Sequence, residues 1–148
     1  MATWAEFELA EPELAAFGKE RIDHQVCFHA TLRLDGSPRV HPIEVWIAVG
    51  LLLVRFRAQS PKVAEVLRDG RYALHSPMDN LDGEGGEFLV RGWMEQIGET
   101  HPAVQRFDQD APYPLAFYAM SVEEAVGTTY EGPDTAPAYR RWRALDEG

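Results

Sequence analysis

A chain of 148 residues that is 45% hydrophobic and 26% charged has apolar material for one buried core and too much of it for a disordered protein. Its formal net charge of -10 excludes non-specific attraction to nucleic acid or to an anionic membrane, because both need positive potential. The single cysteine cannot form an internal disulfide, and no signal-peptide pattern opens the sequence. The longest apolar run, residues 45–54, is too short to span a bilayer, so the expected address is the cytoplasm.

One domain over residues 1–148 is expected, since no repeat or Pro/Gly-rich linker divides the chain. "EPELAAFGKERI" reads as a first helix, with Pro12 early and Lys19 and Arg21 late. "HQVCFHATLRLDG" alternates, with Val26, Phe28, Ala30, Leu32 and Leu34 on one face and Cys27, His29, Thr31 and Arg33 on the other. That period describes a half-buried strand. Cys27 there is a small buried thiol, not a nucleophile. Asp35-Gly36 marks a hairpin, and "SPRVHPIEVWIAV" is its return strand. Gly50 offers a second tight turn before "LLLVRFRA", so the three strands read as an antiparallel meander.

"SPKVAEVLRDG" predicts a short helix capped by Ser60, with Pro61 at its first position, Val63, Val66 and Leu67 inward and Gly70 at its end. "RYALHS" is a strand, "PMDNLDGEGGE" a loop, and "FLVRGWMEQI" a strand whose Gly92 signals a bulge or a close backbone approach. "ETHPAVQRFDQD" reads as a modest helix, "LAFYAMSVEEAVGTTY" as one or two strands and "APAYRRWRALDEG" as a helical tail. Short strands at regular spacing with few helices suggest a small antiparallel barrel.

The positive charge gathers at one seam. Arg55 and Arg57 are two apart on a strand and share a face. The helix that follows presents unpaired N–H groups, the Ser60 hydroxyl and the Lys62 ammonium. Together they describe a place for a dianionic phosphate. The same residues also read as a capped surface helix beside two solvated arginines.

The order "ATLRLDGSPRVHPIEVWI", "LLLVRFRAQSPKVAEVLRDGRYALHS", "FLVRGWMEQI" resembles the pyridoxamine 5′-phosphate oxidase-like family over residues 25–97. It has that family's Asp-Gly-x-Pro hairpin, a Ser-x-Lys opening a helix that ends in Leu-Arg-Asp, and a later Val-x-Gly strand. The resemblance implies a mainly β fold, a six-stranded antiparallel split barrel with flanking helices, usually a homodimer with FMN in clefts between subunits. It places Lys62 and Ser60 at the flavin phosphate, with Arg55 and Arg57 on the strand that approaches it. The segment His41, Pro42, Ile43, Glu44 and Val45 would border the isoalloxazine ring. Two positions depart from the pattern: no threonine stands near Phe56 or Arg57, and Gly70 stands where a proline is common.

No other chemistry competes strongly. The five histidines lack zinc spacing, and His29 and His41 on neighbouring strands read as polar barrel-face residues, with a metal or haem ligand pair as the alternative. There is no G-x-S-x-G, P-loop or G-x-G-x-x-G, and "GEGG" reads as a flexible connection. Trp93 and Trp142 read either as flavin neighbours or as core. Arg140, Arg141 and Arg143 read either as a decorated helix or as a cap over the dimer's ligand cleft. The resulting expectation is an FMN-dependent oxidoreductase acting on a small molecule, with no metal and no assigned catalytic side chain. A non-catalytic flavin or haem binder, or a deazaflavin-dependent reductase, is the alternative.

Overall fold

The first residues build a helix that the sequence reading passed over. In the computed structural model, which describes residues 1–106 and 111–145, α1 spans Trp4–Ala10. Thr3 accepts a hydrogen bond from the Glu6 N–H at 3.2 Å, and the Glu6 carboxylate accepts one from the Thr3 N–H at 3.4 Å. This reciprocal cap was legible as T-x-x-E ahead of an apolar run. The helix is anchored by Trp4 and Phe7, which meet edge to face with centroids 5.1 Å apart. The expected helix follows as α2, Pro12–Ile22, with Pro12 at its start.

Among the described residues nine strands form one curled antiparallel sheet. In chain order they are β1 (Val26–Leu32), β2 (Pro38–Glu44), β3 (Trp46–Ala48), β4 (Leu51–Arg57), β5 (Arg71–His75), β6 (Glu87–Ile97), β7 (Leu115–Met120), β8 (Glu124–Thr129) and β9 (Ala138–Arg143). The helix α3, Pro61–Arg68, lies between β4 and β5 in sequence. The main path runs β2-β1-β5-β6-β7-β4-β3, with β8 on β6 and β9 on β8.

The expected barrel of six strands is present with two strands interrupted and one added. The return strand breaks at Val45 into β2 and β3, which end up at opposite ends of the path. The meander is therefore incomplete: β4 pairs with β3 and β7 and not with β2. Asp23 fixes the break, its carboxylate accepting from the Ile47 N–H at 2.9 Å and its backbone forming a parallel bridge with Val45. The β7 and β8 segments together line one edge of β6, with their register stepped by one residue across Ser121–Glu123. Gly92 sits opposite that step. A Cβ added there would lie 2.3 Å from the Ser121 carbonyl oxygen, so the close backbone approach read from the sequence is real.

Both predicted turns form. At Asp35-Gly36 the Arg33 N–H donates to the Ser37 carbonyl at 2.8 Å, with Gly36 at φ +86°. The β3–β4 turn has Gly50 at φ +74° and, unforeseen, the β-branched Val49 at +47°. The tail, read as a helix, is strand β9; its backbone pairs with β8 and Trp142 packs on Phe7 at 5.1 Å. Residues 99–110 were read as a helix, but among the described residues of that stretch only a single 3-10 turn forms, Val104–Arg106. Residues 107–110 lie outside the described residues, as do 146–148 at the end of the tail.

Alternation on β1 is as expected, yet it points the opposite way. Cys27, His29 and Thr31 are buried, while Val26 and Phe28 are 57% and 52% exposed. One apolar cluster joins Trp4 and Phe7 of α1 and Leu14 and Ile22 of α2 to Phe88, Val90 and Ala125 of the sheet, with Trp142 packed against it. On α3, Val66 is buried and Val63 packs on the core, but Leu67 is 87% exposed. At 100° per residue the inward face centres on Lys62, Glu65 and Val66, and Leu67 falls off it. Glu65 is turned in because Arg39 of β2 meets it in a two-pronged ion pair, at 2.7 and 3.0 Å.

Candidate functional site

Strand β4 ends beyond the reach of its short partner. The β3 pairing stops at Leu53, so from Val54 to Arg57 the ladder continues only on the β7 side among the described residues. Chain turns leaving this half-open edge enter α3 through Ser60, whose hydroxyl accepts from the Lys62 N–H at 3.2 Å, with Pro61 fixing the first turn. A cavity of about 320 Å³ opens here, lined by Ile43, Arg55, Phe56, Arg57, Ser60, Lys62, Tyr113 and Leu115. All four residues of the predicted seam thus reach one cavity.

They reach it from two sides. Arg55 and Arg57 project from one face of β4 and Phe56 from the other. Arg57 stacks on the Tyr113 ring, with Cζ 4.3 Å from the centroid. Lys62 places its ammonium 4.5 Å above the Phe56 ring. Burial and the nearby Arg39 guanidinium lower the Lys62 pKa, against the opposing pull of Glu65. An incoming anion would oppose both by favouring the charged ammonium. Three cationic groups, a hydroxyl and a helix start suit a phosphate.

Of the segment 41–45, Ile43 alone lines this cavity. Pro42 and Glu44 are exposed on the opposite face of β2. The Val45 backbone is committed, its carbonyl accepting from the His24 N–H at 2.9 Å and its N–H donating to Gln25 at 3.3 Å. His41 turns inward toward Phe56 and toward His29, directly across the strand pair, with imidazole centroids 5.2 Å apart. Both ring nitrogens of each histidine are sealed from solvent and lack a hydrogen-bond partner among the described residues. Burial, reinforced by its partner His41 and by Lys62, pushes His29 down to about 3. Burial, with Lys62 and Arg39, pushes His41 down to about 4. Neighbouring cations make this pair a poor metal site, and no cluster of three or more metal-ligating side chains occurs among the described residues. Cys27 is buried with its thiol pushed up to about 12, as its reading as a structural residue requires.

Sequence reasoning did not find Tyr113 or Phe56 as walls of the cavity. Tyr113 comes into place only because Arg57 pairs with Leu115 across β4 and β7, a long-range fact with no local signal. The tail arginines lie elsewhere: Arg140 is 3.6 Å from Glu13, Arg143 pairs with Glu124, and none lines the cavity. Trp142 belongs to the core, and Trp93 is 42% exposed on the outer face of β6.

The fold defined by this sheet and these helices is the split barrel of the pyridoxamine 5′-phosphate oxidase-like proteins. PhzG from Burkholderia lata, solved with tetrahydrophenazine-1-carboxylic acid, is similar with a TM-score of 0.67 at 11% identity, over 97% of this chain and 89% of that one. A Listeria innocua protein provisionally assigned as a pyridoxamine 5′-phosphate oxidase superposes with a TM-score of 0.60 at 15% identity, covering 78% of this chain and 95% of its own. HutZ, a heme storage protein from Vibrio cholerae, gives 0.57 at 12% identity, over 76% and 89% of the two chains. No family model and no curated protein sequence matches the chain. The likeness is one of fold.

Proposed function

We propose that this protein is a cytoplasmic, homodimeric oxidoreductase that holds FMN by its phosphate at the open edge of β4. The observation that carries the reading is the convergence of Arg55, Arg57, Ser60 and Lys62 on one cavity in a chain whose net charge is -10. In a negative field, an anion needs such local convergence to be held. Ile43 and Phe56 give the cavity an apolar wall on the side of β2, from which a planar ring would extend. When bound, the flavin supplies hydride chemistry itself, so the chain has only to bind it, orient it and admit a substrate. That accounts for the lack of a nucleophile or acid–base motif.

Absorbance of the purified protein is the first test, and flavin bands are expected. Lys62→Ala should weaken FMN binding by about 1.5–3 kcal/mol, the scale of a charge-assisted hydrogen bond. Riboflavin, which lacks the phosphate, should bind mutant and wild type alike. Replacing Arg55 or Arg57 should raise the FMN dissociation constant in the same phosphate-dependent way. Equal FMN affinity in the Lys62 variant removes that residue from the site, and failure of the wild type to bind FMN ends the flavin reading. A Soret band would favour haem instead; against it, the one adjacent imidazole pair among the described residues keeps its nitrogens sealed.

A further inference from the structure

The chain has twelve arginines and two lysines, Lys19 and Lys62. Of the cationic side chains that line the β4-edge cavity, Arg55, Arg57 and Lys62, the lysine alone can give up its proton, because a guanidinium stays charged. What faces the Lys62 ammonium therefore decides whether the site carries two positive charges or three.

Beneath the ammonium lies the Phe56 ring of β4. On β2 stand the Arg39 guanidinium and the His41 imidazole, and His29 of β1 is close enough to feel the same charge. The two imidazoles, pushed down to about 3 and about 4, are neutral at physiological pH. Arg39 alone would repel Lys62, but it is taken up by Glu65, one turn after Lys62 on the inward face of α3. The two bonds measure 2.7 and 3.0 Å. Glu65 is 5% exposed, and Arg39, with a weaker pull from Arg33, holds its carboxyl below the usual range, so it stays ionised. A buried ion pair adds little net stability over apolar residues of the same size, so stability alone does not account for a carboxylate here.

We infer that Glu65 is a positioning residue of the phosphate site: it draws the Arg39 guanidinium to itself and leaves the Lys62 ammonium as the group that meets the anion. The inference rests on the phosphate reading of this cavity. Burial and Arg39 favour the neutral amine of Lys62, while Glu65 favours the ammonium. Glu65 thus sets the upper pH at which the site keeps its third cation.

The test follows Lys62 directly, through the pH dependence of its Cε resonance in the flavin-free full chain labelled with 13C-lysine. Lys19, which is exposed, is the internal control, and Lys62→Arg identifies the signal. Glu65→Gln should move the Lys62 titration down by about half a pH unit to one unit, and Arg39→Gln should move it up by a similar amount. Glu65→Met, an apolar replacement of similar size, should act in the same direction as the amide and serves as the second variant. If the ion pair were only a clamp between β2 and α3, breaking it from either side would admit water and move every titration up. The ratio of FMN to riboflavin affinity, in which any ionisation of the ring cancels, should fall at the pH of the Lys62 titration in each protein. In Lys62→Arg it should stay level to higher pH. An upward or absent shift in the Glu65 variants would overturn the inference, as would an affinity ratio that does not follow Lys62. A wild-type chain that binds FMN no more tightly than riboflavin would overturn the phosphate reading on which the inference rests. The lysine titrations do not depend on that result, so the two failures are told apart.

Discussion

His29 shows how far one residue's chemistry is set by its surroundings. It is fully buried on the inner face of β1, between Tyr72, Phe56 and His41, with Lys62 close enough to repel a second positive charge. Its pKa falls from 6.5 to about 3, and that of His41 to about 4, burial being the main cause in both. Below pH 6.5 the unfolded chain takes up protons that the folded chain refuses, so this part of the stability is complete above 6.5 and is lost as pH falls. Carboxylates stabilised by their partners, Glu65 beside Arg39, Asp69 beside Arg71 and Glu124 beside its arginines, lose their contribution only at lower pH, from about 4.5 downward. The interval from about pH 6.5 to about pH 5 therefore belongs to the histidine pair. Urea midpoints should fall across it, with His29 alone contributing on the order of 2 kcal/mol by about pH 5. His29→Gln should roughly halve the fall. A wild-type midpoint that stays level would mean that the pair is not held neutral.

At the scale of elements, the contact between β6 and the β7–β8 edge is governed by one missing side chain. Gly92 admits the Ser121 backbone, whose hydroxyl in turn accepts from the Trp93 N–H at 2.9 Å. Gly92→Ala would press a methyl into a backbone oxygen and not into a movable side chain. A loss of about 3 kcal/mol is expected, the upper end for overpacking. Gly98→Ala, where an added Cβ meets nothing within 4 Å, is the control and should leave the urea midpoint almost unchanged. A Gly92 variant as stable as this control would show that the two strands can separate there without cost. Gly92 was legible in the sequence because a glycine inside a strand pattern has few other uses. The Asp35-Gly36 hairpin, the Ser60 cap and the four residues at the β4 edge were legible for the same reason: each is a local rule about turns, caps or same-face spacing. The tail was not. "AYRRWR" carries no period strong enough to choose, and β8 decides it by offering an unpaired edge. Nor was the reversal of β1, since alternation names two faces without saying which one the helices will cover.

That reversal matters most for the molecule as a whole. The outer face of β1 and β2 carries Val26, Phe28, Val40 and Pro42 in paired register, Phe28 opposite Pro42 and Ala30 opposite Val40. Val26, Phe28 and Val40 are 57%, 52% and 66% exposed, although each is the kind of side chain that burial stabilises by about 1.5–3 kcal/mol. The strand at this margin is not left ready to add another strand: β2 has Pro38 and Pro42, which lack N–H donors, and it interleaves them with Arg39, His41 and Glu44. The free surface is therefore the apolar face and not the edge, and a second copy meeting it face to face would cover it by two-fold symmetry. A stable contact of this kind buries roughly 800 Å² on each partner. Light scattering at micromolar concentration should report twice the chain mass of 16.7 kDa. Phe28→Asp places a charge at the centre of the face without disturbing the buried side of β1, and should yield a folded monomer with unchanged circular dichroism. The β4-edge cavity is lined by none of these four residues, so the variant also asks whether flavin binding needs the partner. If FMN lies in a cleft completed by the second subunit, its affinity should fall together with the dimer. A wild-type protein that scatters as 16.7 kDa would leave the apolar face without its proposed cover.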